Sequence, residues 1–180
     1  DQQERQTFEP QFLENRVLTQ PAAALYLVSE EIQRVSDFTR QMMDSMKLAF
    51  VGKEAVAAYQ NFKEMHFAVK KLQEQIGSYI VKMFASGTLT EQQSEQAAGL
   101  LYINNNIDRI ADRCEEIGTV AKFSQEHGGV FSAEALHELE TGIGTLKNLF
   151  VTAMQALENG DKDIVAKVSK DKNKIRKLQK

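Results

Sequence analysis

The sequence predicts an all-α fold: an antiparallel helical bundle of three helices, followed by two helices of a second bundle. Three observations lead there. Both prolines, Pro10 and Pro21, fall within the first 21 of 180 residues, so the rest of the chain lacks the residue that most often interrupts a helix. Apolar side chains recur three and four apart through most of the chain, which is the spacing of one helix face. The breaks between these runs are short and contain glycine, at Gly52, Gly87, Gly128-Gly129 and Asn159-Gly160-Asp161. Short connections force consecutive helices to pack antiparallel.

Residues 1–18 read as an extended lead-in or linker. Thr19-Gln20-Pro21 opens the first helix, because Pro21 has no N–H to lose in the first turn. Its apolar face is Leu25, Val28, Ile32, Val35, Met42, Met46 and Ala49, and Gly52 ends it. The second helix, about Lys53 to Ala85, has the seam Phe62, Met65, Val69, Leu72, Ile76, Tyr79 and Met83. Two overlapping capping boxes follow, Thr88 with Glu91 and Thr90 with Gln93. The third helix, about 90–125, carries a heptad seam of Leu100, Ile103, Ile107, Ile110, Cys114, Ile117 and Ala121.

Beyond Gly128-Gly129, Ser132 is the expected N-cap of a fourth helix, with Phe131 and Leu136 spaced for a hydrophobic staple. That helix carries Leu136, Leu139, Ile143, Leu146, Phe150, Ala153 and Leu157. A fifth, from Lys162, carries Ile164, Val168, Ile175 and Leu178 and is still amphipathic where the sequence stops, so the natural chain is expected to continue. The organisation expected is therefore a lead-in at 1–18, a three-helix bundle at 19–127, and an incomplete second bundle at 128–180.

A net charge of −3 offers no basic face for nucleic acid. No run approaches the 18 or so apolar residues that suggest a membrane-spanning helix. One cysteine supports neither an internal disulfide nor a multi-cysteine zinc site. The charge is unevenly spread. Residues 91–161 carry twelve acids and four bases, whereas 162–180 carry eight bases and two acids. The basic tail Lys170–Lys180 is expected to dock on the acidic third helix or to meet anionic lipid, unless it is simply a solvated helix face.

Phosphate-loop, dinucleotide-binding, zinc-protease and nucleophile-elbow motifs are all missing from the sequence. His66, His127 and His137 lie on different segments, and Cys114 falls on the apolar seam. The feature that could carry chemistry is on the third helix. Asn104, Asp108, Asp112 and Glu115 are offset by four, four and three, which forms one polar stripe beside the seam. Carboxylates so spaced can offer several oxygens to one cation. The same spacing also describes an ion-paired helix surface, with Arg109 and Arg113 offsetting the like charges.

Asp108-Arg109-Ile110-Ala111-Asp112 resembles the E/D-R-I-G/A-D signature of the PhoU family of phosphate-regulatory helical proteins. Phe12-Leu13, Leu18 and Pro21-Ala22-Ala23-Ala24-Leu25 resemble the segment that joins the membrane part of bacterial sodium/phosphate cotransporters to a PhoU-like domain. Leu72, Ile76 and Tyr79 on the second helix, and Phe131-Ser132 with Glu134-Ala135, fit further family patterns. The resemblance implies repeated three-helix bundles and a non-catalytic domain that regulates phosphate transport or signals phosphate status. It implies a place on the cytoplasmic side of the inner membrane, with the transmembrane domain of the same chain as partner and room for a homodimer. A free-standing phosphate-regulon adaptor and a metal-binding helical bundle are the alternatives.

The resemblance places Asp108 and Asp112 at metal-ligand positions for a divalent or iron-type ion, with Asn104 and Glu115 as lesser candidates. It also shows departures. The second carboxylate pair of the family falls on His66 and Lys70 here, and on Lys172 and Arg176 in the second repeat. A lysine facing Asp108 and Asp112 would neutralise them without metal. The result would be a salt-bridged layer that fixes helix register.

Overall fold

A computed structural model describes residues 8–50, 53–129 and 131–159. The expected fifth helix, the basic tail Lys170–Lys180, and the pair Lys172 and Arg176 lie outside these residues. The described chain is all-helical, without a strand: a short 3-10 turn at Asn15–Val17, then α1 (Pro21–Leu48), α2 (Ala55–Ala85), α3 (Glu91–His127) and α4 (Ala133–Asn159).

Each boundary has a local cause. Pro21 sits at the first position of α1. Thr90 caps α3 with a complete capping box: the Gln93 amide donates to Thr90 Oγ1 at 3.1 Å, and the Thr90 amide donates to Gln93 Oε1 at 3.0 Å. Of the two overlapping boxes in the sequence this is the one used. Thr88 lies before the helix, with its hydroxyl 2.9 Å from that of Ser86. Gly128 closes α3 in the left-handed region at φ 60°, where a side chain would be strained. Ser132 Oγ accepts from the Ala135 amide at 3.1 Å and caps α4. Phe131 meets Phe50 edge-on at 5.6 Å, tying the entry of α4 to the end of α1.

The apolar seams become the core. Val28, Ile32, Val35, Met42 and Met46 of α1 are buried against Val69, Leu72, Ile76 and Met83 of α2 and Ile107, Ile110 and Cys114 of α3. Helix α1 packs on all three others. Ile143, Leu146, Leu149, Phe150 and Ala153 of α4 join the same hydrophobic cluster. Lys147 of α4 pairs with Asp44 of α1 at 3.4 Å, and Arg40 of α1 lies over the Phe150 ring. The α1–α2 connection is pinned from α3, where Gln125 Nε2 donates to the carbonyls of Ala49 and Ala55 at 2.8 and 3.1 Å.

Residues 8–18 of the lead-in form a strap laid on α1 and α2. Leu13, Val17 and Leu18 pack against the core. Phe8 meets Phe38 of α1 and Phe67 of α2 edge-on, at 5.8 and 6.5 Å. Glu31 of α1, fully buried, accepts hydrogen bonds from the backbone amides of Gln11 and Phe12 at 3.0 and 2.8 Å. Arg34 pairs with Glu31 at 2.9 Å and donates to the Glu9 carbonyl at 2.7 Å. On the α2 side, Tyr79 donates to the Glu14 carbonyl at 2.8 Å, and Lys71 pairs with the Glu9 carboxylate.

The Phe62 ring of α2 packs closely against Gly118 of α3, where an added Cβ would lie 2.5 Å from Cε1 and 3.0 Å from Cζ of that buried ring. Gly118→Ala is expected to destabilise the fold by roughly 1–3 kcal/mol, because the clash outweighs the helix-propensity gain of up to about 1 kcal/mol. Gly99, in the same helix, has nothing within 4 Å of an added Cβ. Gly99→Ala is therefore expected to stabilise by up to about 1 kcal/mol. Urea unfolding of the two variants gives shifts of opposite sign if the close approach is as described.

Candidate functional site at the α2–α3 edge

Antiparallel packing sets the polar stripe of α3 against one edge of α2. Descending α2 from Gln73 through Lys70 to His66 meets, in order, Asn104, then Asp108 and Asp112, then Glu115. Asn104 is fully buried and donates through Nδ2 to the Gln73 carbonyl at 2.9 Å. Gly77 lies beside it, where a Cβ would sit in ordinary contact with Asn104 Nδ2, at 3.5 Å. Lys70 Nζ lies 2.5 Å from Asp108 Oδ1 and 2.8 Å from Asp112 Oδ1. His66 Nε2 lies 3.8 Å from Glu115 Oε2. Exposure rises along the stripe, from a buried Asn104 to a Glu115 side chain 63% exposed.

The electrostatics follow from this geometry. Burial alone would lower the pKa of Lys70, but hydrogen bonds and charge from Asp108 and Asp112 outweigh it and hold the ammonium above its ordinary 10.5. Arg113 turns instead to Glu116, at 3.0 Å, and Arg109 is exposed, so the carboxylates of α3 are offset from α2. Cys114, on the apolar side of α3, is fully buried, and burial pushes its thiol up to about 12, which leaves it unreactive in the folded state.

The four stripe residues therefore share a ladder but not a single centre. Asp108 and Asp112 converge on one ammonium, Asn104 engages backbone, and Glu115 stands at the exposed end beside His66. Among the described residues no three His, Cys, Asp or Glu side chains are grouped so as to hold a metal ion. Two carboxylates sharing one ammonium fit an ion-paired cross-link between helices. A divalent or iron-type ion would require Lys70 to withdraw. Glu31 is a buried polar residue that a search for paired carboxylates passes over, although the periodicity of α1 carries its signal. It occupies a core position in the run Ala24, Val28, Glu31, Val35, Phe38, Met42, whose spacing alternates four and three.

Comparison with known proteins adds the family. The PhoU domain matches residues 32–121, half of the 180-residue chain, and covers all of α2 and the whole ladder. The chain belongs to the PhoU family. It is also 25% identical over 170 residues to the "Putative inorganic phosphate export protein YjbB" of Salmonella typhimurium (strain LT2). That alignment takes in 94% of this chain but 31% of the relative, so the chain spans about a third of the protein it matches. No solved structure matches the chain.

A lysine whose pKa is raised by folding stabilises fully below its unfolded value, and that contribution is lost as pH rises through the folded value. Lys70→Met is expected to lose about 1 kcal/mol or less at neutral pH, since the pair is partly exposed. The gap between wild type and variant should hold steady from pH 7 to 9 and close above pH 10.5. Urea titrations across that range measure it, and comparing the two proteins cancels the loss that Tyr79 adds. Burial and the Glu14 carboxylate also raise the Tyr79 phenol, against the lowering effect of its hydrogen bond.

Proposed function

We propose that this chain is a non-catalytic regulatory domain of a phosphate transporter of the sodium/phosphate cotransporter kind. In this reading it sits on the cytoplasmic side of the inner membrane and is joined to the transmembrane domain of the same polypeptide. The observation that carries the proposal is the alignment of nearly the whole chain with a third of a protein named for phosphate export. The strap before α1 supports it as a place where a preceding domain could be joined. The non-catalytic part is supported by the dispersal of the histidines over α2, the end of α3 and α4, and by the inert Cys114 thiol.

The test is phosphate flux in cells carrying the full-length gene product, with and without this region. Deletion is expected to leave transport running while its response to external phosphate is lost. Unchanged flux and unchanged response would overturn the proposal. A gene product with no membrane segments would favour a free-standing adaptor.

Within this function the α2–α3 ladder acts as a metal-free register. Purified protein is expected to carry far less than one equivalent of manganese, iron or zinc by elemental analysis. An equimolar ion lost in Asp108→Ala/Asp112→Ala would return the site to metal binding.

A further inference from the structure

The strap is held in an unusual way. It runs along the groove between α1 and α2, antiparallel to α1, as its contacts at Glu31, Arg34 and Phe38 come from residues 12 back to 8. Between its contacts with Tyr79 and Phe67 it covers six residues while α2 covers twelve. At about 3.3 Å per extended residue and 1.5 Å per helical residue the two lengths agree, so the strap is extended. Its fixings are mostly to its main chain: two amides on Glu31, and carbonyls on Arg34 and Tyr79. Every residue from Phe8 to Leu18 is half-buried or exposed, whereas Glu31, Phe38 and Tyr79 beneath them are buried.

Such a segment can leave without stranding charge. Arg34 stands on the same helix as Glu31, at 2.9 Å, and stays with it when the strap lifts. The freed amides of Gln11 and Phe12 and the uncovered carboxylate oxygen all pass to water. Both states thus keep their polar groups satisfied, which is the condition for a low-lying local opening.

We propose that residues 8–18 form a releasable latch seated on Glu31, which switches the N-terminal attachment of the bundle between rigid and slack. Seated, the strap moves with α1 and α2 as one body. Released, its eleven residues become a tether of up to about 36 Å. The latch is a property of this chain whatever protein it regulates.

Hydrogen exchange on the full chain, read amide by amide, tests it. The Gln11 and Phe12 amides are expected to exchange at least about tenfold more slowly than in an unstructured peptide, and far faster than the core amides of Leu72 and Ile76. Glu31→Gln should speed Gln11 and Phe12 about tenfold and leave Leu72 and Ile76 unchanged. Tyr79→Phe, which removes one donor and disturbs no charge, should loosen the strap severalfold and guards against a misfolded first variant. Exchange of Gln11 and Phe12 in step with the core would make the strap a fixed part of the fold. Exchange at the unstructured rate would mean it is never seated. Either result, or indifference to both substitutions, overturns the latch.

Discussion

The wide buried face of α1 is the constraint on which the rest of the structure depends. Two apolar seams lie side by side on it. Ala24, Val28, Val35 and Phe38 form one, and Leu25, Ile32, Met43 and Met46 the other. Each large apolar side chain contributes about 1.5–3 kcal/mol when withdrawn from water. A face this broad cannot be covered by one neighbour, so α2, α3, α4 and the strap all lie against it. Two of the hydroxyls on the same face are handled locally: Thr39 donates to the Val35 carbonyl at 2.7 Å and Ser36 to that of Gln33 at 2.6 Å. Helix α1 therefore buries polar residues without asking its neighbours to satisfy those hydroxyls.

Helices α2 and α3 also pack directly on each other, and one edge of that contact carries the polar ladder. An apolar heptad seam alone fixes register weakly, since a slide by one turn replaces one aliphatic contact with another. Lys70 bridges Asp108 and Asp112, which lie one turn apart, so the specific contact is the buried Asn104 amide on the Gln73 carbonyl. A slide of about 5.4 Å would part that bond and leave a buried donor unpaired. The side chain of Phe62 against Gly118 adds a steric stop along the same contact.

Much of this was legible in the sequence because it is local. Every seam residue named for α1 and α2 is buried, and the capping box at Thr90 and the glycine stop at Gly128 form as their spacing implies. The lysine facing Asp108 and Asp112 was visible from the family pattern. What stayed hidden depends on contacts between distant segments. Asn104 shares a helical stripe with Glu115, yet one is buried against the Gln73 carbonyl and the other stands exposed beside His66, a difference in neighbours that the periodicity of α3 does not carry. Glu31 looks like an ordinary helix acid until the strap arrives to cover it. The contact of Phe150 and its neighbours with α1 likewise joins distant segments, and no run of residues around Gly128-Gly129 encodes it.

The position of Cys114 gives the protein a built-in optical handle. It is the single cysteine of the chain, its side chain is wholly enclosed between helices, and its proton is held tightly by its surroundings. A thiol reagent can reach it only when α3 parts from the core. The colour released by such a reagent therefore counts openings of the bundle in unmodified protein, and a motion confined to the strap leaves that count unchanged.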